Sequence, residues 1–177
     1  MDFESLVGRI NQVQDVLQAQ AAHAINLALT ARNWLVGYYI VEFEQNGEDR
    51  AKYGENLLKR LAEKVNKRGI NETLLKVSRS FYINYPQIKD YLEGKSATPS
   101  HLSWGKNAML SHKSETRPTL SNKFVTPAEK IISQLSFSHI REIMTVDDPF
   151  ARFFYETECI RCCWSVAELR RQISTNP

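Results

Sequence analysis

The feature that most constrains this fold is a stripe of apolar residues through the first forty residues of the chain. Between Phe3 and Glu44 there is no proline, and apolar side chains recur at alternating steps of four and three residues: Leu6, Ile10, Val13, Leu17, Ala24, Leu27, Ala31 and Trp34. Gln20 fills the one polar position. Such a heptad stripe is typical of an α-helix that packs against another helix along its length.

The length of this segment leaves two interpretations. A single helix of forty residues would be about 60 Å long, which exceeds the span of a compact monomer of this size. Either the helix breaks near residues 18–22, or it stays intact and pairs with a second copy of the chain. We expect a homodimer through the stripe from Leu6 to Trp34, and an intramolecular helical core is the alternative.

Two shorter helices are predicted before Pro86. Apolar residues line one face of residues 50–66, Gly69 stops this helix, and Asn71 is a favourable N-cap for the next helix, which runs to about residue 85. Two helices joined by a tight glycine-containing turn form a helix-turn-helix candidate over residues 50–85. Any helical hairpin on a protein surface can show the same pattern.

The charge distribution indicates where such a motif would meet nucleic acid. The chain has a net charge of +3, but residues 51–95 hold ten basic and five acidic side chains. A basic segment of this kind is typical of a small DNA-binding protein, and a solvated helix face is the plainer interpretation. We expect the phosphates of duplex DNA to contact Lys59, Arg60, Lys64, Lys67, Arg68, Lys76 and Arg79. The candidates for reading bases are Asn71, Glu72, Lys76 and Ser80.

Residues 94–128 differ in composition from the rest of the chain. They are rich in Ser, Thr, Pro, Gly and Asn and show little periodicity, which predicts a flexible basic linker or a β-wing. This segment would divide the chain into an N-terminal helical region, residues 1–93, and a second helical subdomain, residues 129–177. The predicted fold class is mainly α: a helical bundle with helix-turn-helix and winged-helix-like parts and a long N-terminal helix.

Capping residues mark the helix starts of the C-terminal region. Either Ser136 or Ser138 can cap a short helix, and Asp148 followed by Pro149 predicts the start of the next one. Ser165 begins a capping box for the last helix. Three cysteines would share one face of the preceding helix, and we expect all of them to pack on its inner side as small apolar residues: Cys159, Cys162 and Cys163.

The sequence carries no motif for catalysis or metal binding. The cysteines lack a second pair of ligands with zinc spacing, and the four histidines are scattered singly. No phosphate-binding glycine loop, dinucleotide fingerprint or H-E-x-x-H motif occurs. We therefore expect no catalytic residue, no metal site and no cofactor in this chain, and an enzyme in its own right is the least favoured class.

Three further features bear on location. The acidic N-terminus has no basic segment before an apolar core, which argues against a signal peptide. No apolar run reaches the roughly 18–20 residues that a membrane helix requires. An odd number of cysteines without framework spacing suits a reducing compartment. We expect a cytoplasmic protein with no membrane partner.

Two blocks of the sequence resemble the N-terminal domain of the YhcG family of bacterial proteins. The first is "RNWLVGYYIVEFEQNGEDRAKYGENLLKRLAEKV", followed by "SFYINYPQI", and the second is "LSFSHIREIMTVDDPFARFFYETECIRCCWSVAELRRQI". Aromatic, turn and capping residues match together and in order: Trp34, Gly37, Tyr38, Gln45, Gly47, Tyr53, Gly54, Phe81, Tyr82, Ser136, Ser138, His139, Asp148, Pro149, Tyr155, Trp164, Ser165 and Leu169.

The resemblance implies a helical, winged-helix-like DNA-binding region placed before a PD-(D/E)XK nuclease domain, in proteins that look like restriction-type or mobile-element-associated nucleases. This sequence departs from the family at Cys162 and Cys163, where a small polar residue and glycine are more usual, and at Pro177, where the family usually continues into the nuclease. We expect a DNA-binding module whose nuclease activity lies outside this chain. The alternative is a protein-interaction or dimerisation module without a nucleic-acid role.

Overall fold

The part of the chain that the structure describes is helical. A computed structural model describes residues 2–46, 56–94 and 125–175, and within these ranges there are eight α-helices and no strand. The mainly α fold class is therefore confirmed. The helices are α1 (Phe3–Asn46), α2 (Leu57–Val65), α3 (Glu72–Asn84), α4 (Ile88–Gly94), α5 (Ala128–Gln134), α6 (Phe137–Ile143), α7 (Pro149–Cys162) and α8 (Val166–Thr175).

Helix α1 is unbroken over 44 residues, so the break considered near residues 18–22 does not occur. Residues 3–26 are all exposed, and we call this segment the arm. At 1.5 Å per residue the arm is about 36 Å long. From Leu27 onward α1 enters the body of the protein, where Thr30, Asn33 and Trp34 are buried. Only the last three residues of the predicted stripe, Leu27, Ala31 and Trp34, are therefore covered by the described chain itself.

One hydrophobic core joins residues from both sides of the 94–128 segment. Trp34 of α1 is fully buried, and its indole Nε1 donates a hydrogen bond to the carbonyl oxygen of Tyr85 at 3.0 Å. The same core contains Phe81 of α3, Ile140 of α6 and residues of α5, α7 and α8. The predicted wing or linker falls mainly on residues 95–124, which lie outside the described ranges. Gly47, one of the residues that carry the family resemblance, also lies outside them.

Helices α1 and α3 approach each other closely at Gly37. A Cβ atom built on Gly37 would lie 1.9 Å from the carbonyl oxygen of Ser78 and 3.0 Å from the Cβ of Tyr82. An ordinary van der Waals contact is about 3.5–4.0 Å, so no larger residue fits between these two backbones. The absence of a side chain at Gly37 sets the spacing of the helix pair that carries the core.

The predicted helix starts of the C-terminal region are confirmed. Asp148 accepts a hydrogen bond from the backbone N–H of Ala151 at 2.8 Å, with Pro149 in the first turn. Ser165 and Glu168 form the expected reciprocal capping box at 2.7 and 3.3 Å. Of the two candidates near residue 137, Ser136 is the cap of α6.

Histidine replaces the usual acid in the capping box of α6. The backbone N–H of Ser136 donates to Nδ1 of His139 at 3.2 Å. The other ring nitrogen lies 3.0 Å from the carbonyl oxygen of Trp164, which a neutral ring satisfies by carrying its proton on Nε2. Burial lowers the pKa of His139, which favours this neutral form. The ring thus ties the start of α6 to the turn between α7 and α8.

The expectation that three cysteines share the inner side of one helix was wrong for two of them. Cys159 is buried, and burial raises the pKa of its thiol to about 11. Cys162 and Cys163 are exposed. For Cys163 the reason is that α7 ends at Cys162, and Cys163 adopts the left-handed conformation with φ of 50°. This turn takes Cys163 off the helix face that carries Cys159.

Replacing Cys163 by glycine is expected to stabilise the protein. The left-handed conformation costs an L-residue roughly 1–2 kcal/mol, and the greater freedom of glycine in the unfolded chain offsets part of this. We expect the free energy of unfolding to rise by up to about 1 kcal/mol, measured by urea denaturation. The matched control is Cys162→Gly at the last helical residue, where no left-handed conformation is needed, and it should not raise the free energy of unfolding. A loss of stability in Cys163→Gly would contradict this account.

A buried carboxyl group links three parts of the body. Glu156 of α7 accepts hydrogen bonds from the hydroxyl groups of Tyr85, which follows α3, and of Thr126, which precedes α5. The Thr126 bond is 2.5 Å long. Burial raises the pKa of Glu156, and burial together with the adjacent carboxyl raises the pKa of Tyr85.

This carboxyl group should make stability depend on pH. Because its pKa is raised in the fold, the stabilisation is complete below the ordinary value of 4.5 and is lost as pH rises through the raised pKa. Glu156→Gln keeps polar partners for both hydroxyl groups but cannot ionise. We expect the free energy of unfolding of this variant to increase relative to that of the wild type as pH rises above 4.5. Urea denaturation at a series of pH values measures this difference. A difference that stays constant with pH would contradict the assignment.

None of the helices in the described ranges combines the length and the apolar character needed to cross a membrane.

Candidate nucleic-acid interface

The candidate interface is built on α2, α3 and the turn between them. Asn66 ends α2 in the left-handed conformation with φ of 42°, and Gly69 has φ of 84°. The backbone N–H of Ile70 donates to the carbonyl oxygen of Lys67 at 3.0 Å. The turn therefore spans residues 66–71, which is longer than the three or four residues usual in a helix-turn-helix motif. It projects Lys67 and Arg68 away from the core.

Five cations form an exposed group along α2 and this turn, which we call the basic strip: Lys59, Arg60, Lys64, Lys67 and Arg68. No residue of α2 is buried, so the helix presents these side chains to solvent. Within the described ranges, Lys64, Lys67 and Arg68 take part in no salt bridge. Their charges are consequently available to an external anion.

The cations of α3 have acidic neighbours instead. Lys76 lies 2.7 Å from a carboxylate oxygen of Glu72, one helical turn earlier. The pKa of Glu72 is lowered, first by this hydrogen bond and charge and also by the charge of Lys59. Lys76 is largely exposed, so the pair is solvent-screened and can open at low cost. Glu72, considered as a base reader, serves here as the partner of a lysine.

Arg79 is held in a contact between helices. Its Nε lies 2.7 and 3.0 Å from the two carboxylate oxygens of Glu44 on α1. A charge-assisted pair of this kind orders the guanidinium group. Arg79 therefore ties α3 to α1 in this structure, and a phosphate would have to compete with Glu44 for it.

The two remaining candidates are Asn71 and Ser80, which lie at the start of α3 and along it. Asn71 is the N-cap, and its Oδ1 accepts the backbone N–H of Leu74 at 2.8 Å, which leaves its amide NH2 for other partners. Ser80 is half-buried and lies with Lys76 beside a shallow cavity of about 350 Å³ that is also lined by Arg141 and Thr145. The solvent face of α3 is thus bordered by the end of α6.

An apolar groove lies next to the basic strip. It has a volume of about 520 Å³ and is lined by Tyr39, Ile40 and Phe43 of α1, by Leu61 of α2 and by other apolar residues. Arg60 and Lys64 also line it, so their aliphatic stems border an apolar surface while their charged ends reach solvent. Sequence periodicity did not reveal this groove, because it depends on how far α2 stands away from α1.

The described ranges contain no group of three side chains able to hold a metal ion. What the structure defines is an all-α domain whose most distinctive surface is a basic strip on a helix and its following turn.

The chain belongs to the family described as the DUF1016 N-terminal domain, which matches residues 9–124 and 121–177. It is 31% identical over 178 residues to the protein named "Putative nuclease YhcG" of Escherichia coli (strain K12), an alignment that covers 98% of this chain and 45% of that protein. The chain thus spans less than half the length of this relative. No solved structure matches it. The resemblance to the YhcG family is confirmed.

Proposed function

We propose that this chain is a DNA-binding module that directs an associated nuclease domain, of the PD-(D/E)XK type, to duplex DNA. The observation that carries the proposal is the basic strip, in which five exposed cations lie within ten residues of each other. Phosphate contacts by Lys and Arg supply most of the affinity of a protein for DNA regardless of sequence. The nuclease named in the E. coli relative is consistent with a role at nucleic acid.

The cations differ in their expected contribution. Lys64, Lys67 and Arg68 would be the main phosphate contacts, because none of them has to leave a carboxylate first. Lys76 would add to them once its solvent-screened pair with Glu72 opens. Arg79 would contribute least, since its bond to Glu44 also supports the packing of α3 on α1.

Recognition of bases would fall to α3, through Asn71 at its N-terminus and Ser80 further along the helix. The amide group of Asn71 and the hydroxyl of Ser80 can donate to base edges, and the N-terminus of a helix next to a basic turn favours a nearby phosphate. The 94–128 segment, as a basic linker or wing, would add backbone contacts. In this proposal the protein works in the cytoplasm, in restriction or in defence against mobile elements, and the cutting is done outside this chain.

The test is direct binding of the purified chain to a fluorescently labelled duplex, followed by anisotropy. We expect saturable binding, with a dissociation constant of about 10⁻⁶–10⁻⁴ M at physiological salt for a non-specific sequence. We also expect no cleavage when Mg²⁺ is added. Absence of binding at low salt would reject the proposal in favour of a protein-interaction module, and metal-dependent cleavage would reject the placement of the nuclease outside the chain.

A further inference from the structure

The arm carries an apolar stripe that the described chain leaves uncovered. Phe3 is 74% exposed, and Ile10, Val13 and Leu17 are each 58% exposed. Scattered apolar residues on a surface need no explanation, but these four lie in one heptad register along a single helix. An isolated helix in water gains little stability from propensity alone and depends on the packing of its apolar face. Within the described ranges, the arm therefore lacks the contact that would stabilise it.

The same stripe continues into the body, where it is already occupied. Leu27, Ala31 and Trp34 follow in the same register and pack in the core of their own chain. If two arms paired side by side in parallel, their stripes would also have to meet from Leu27 onward. There each body already covers the stripe of its own chain. Two antiparallel arms avoid this collision, because each body then lies beyond the N-terminal tip of the other arm.

From these observations we infer that a second copy of this chain covers the arm, as an antiparallel helix pair centred near residue 15. In this register Leu6 faces the second copy's Ala24, and Val13 faces its Leu17. Each facing pair thus joins one residue from each of the two apolar positions of the heptad, as antiparallel pairing requires. The inference is independent of DNA binding.

Charge favours the same orientation. Asp2 and Glu4 lie at the tip of the arm, and a parallel pair would bring the acidic tips of both copies together. The antiparallel pair places them at opposite ends, separated by about 36 Å, which is well beyond the Debye length of about 8 Å. Val7 and Val16, which flank the stripe, add apolar surface to the edges of the contact, beside the charged Arg9.

The area is sufficient for a stable dimer. Seven large apolar residues on the stripe and its edges are at least 36% exposed in the arm. Covering them in both copies would remove on the order of 1,000 Å² from water, which reaches the size of a specific protein interface. A foreign helix would obtain the same area, but a second copy, unlike a foreign helix, is present wherever the chain itself is.

Sedimentation equilibrium of the full chain tests the dimer. We expect a mass near twice 20.4 kDa, and Ile10→Asp with Val13→Asp should return it to the monomer while near-ultraviolet circular dichroism of the body is retained. The matched control places the same charges on the outer face, as Gln12→Asp with Gln18→Asp, and should stay dimeric. A monomeric wild type, or a dimer that survives the Ile10 and Val13 changes, would overturn the inference.

Thiol cross-linking tests the orientation. In a background of Cys162→Ser and Cys163→Ser, which removes the exposed native thiols, one copy carries Leu6→Cys and the other Ala24→Cys. A short bis-maleimide should join the mixed copies and leave Leu6→Cys alone unlinked. Efficient linking of Leu6→Cys with itself would show a parallel pair and overturn the antiparallel assignment.

Discussion

Gly37→Ala is expected to lower the free energy of unfolding by about 3 kcal/mol, the upper end of the cost of overpacking a core. The added methyl group would lie 1.9 Å from the carbonyl oxygen of Ser78. A backbone carbonyl cannot rotate away as a side chain can, so α1 and α3 must separate and loosen the packing around Phe81. For a domain of this size the melting temperature should fall by about 6–12 °C, measured by circular dichroism.

The control is Gly8, the other glycine of α1, which lies in the arm. Nothing lies within 4 Å of a Cβ atom built on Gly8. Alanine is favoured over glycine in an exposed helix by up to about 1 kcal/mol, so Gly8→Ala should be neutral or slightly stabilising. Equal melting temperatures for the Gly37→Ala variant and the wild type would show that the two helices can move apart freely, against the account of the core given above.

The second large effect is expected from reversing the free charges of the basic strip. We predict that Lys64→Glu, Lys67→Glu and Arg68→Glu together weaken binding to a duplex by on the order of 10²–10³-fold at 0.1 M salt, because each lost phosphate contact costs about tenfold at that concentration. All three side chains are exposed, so the helix content and the melting temperature should change little. Fluorescence anisotropy and circular dichroism measure the two properties.

A matched control separates the contribution of the basic strip to DNA affinity from the contribution of total charge. Lys89, Lys130 and Arg171 are exposed cations on α4, α5 and α8. Reversing these three changes the net charge by the same amount and should weaken binding much less. If both triple variants lost affinity equally, the attraction would come from the overall charge, and the strip would have no special role.

The helix boundaries were accessible from the sequence where a cap defines them. Asn71, Asp148 and Ser165 each use a short polar side chain to satisfy backbone N–H groups of the following turn, and this chemistry is local. The helical nature of the first forty residues was likewise predictable from an uninterrupted heptad pattern. Helix α4 was missed, because Ile88 and Leu92 are its only buried apolar residues and too short a run to show a period.

Features that depend on distant residues were not accessible. The need for glycine at position 37 is explained only by the contact with Ser78, which lies 41 residues later in the chain. Glu156 gives no sign in the sequence of its bonds to Tyr85 and Thr126. The pattern also could not show where the body stops covering the stripe, since the spacing of apolar residues is the same on both sides of Leu27.

For the candidate site, composition identified the basic segment but not the state of its charges. Lys76 and Arg79 are as basic in the sequence as Lys67 and Arg68. The i,i+4 spacing of Glu72 and Lys76 on the predicted helix indicates their pairing, but only the fold places Glu44 beside Arg79. The exposed position of Cys163 has a similar origin. Its left-handed backbone is a consequence of how α7 ends.

The most direct test of DNA binding by the basic strip is the salt dependence of affinity for one duplex, measured for the wild type and for the triple variant at positions 64, 67 and 68. Five phosphate contacts predict a slope of about −4.5 for the logarithm of the binding constant against the logarithm of salt concentration. The variant should have a slope smaller in size by about 3. A wild-type slope near zero, or the same slope in both proteins, would contradict the proposal that this strip binds the phosphate backbone.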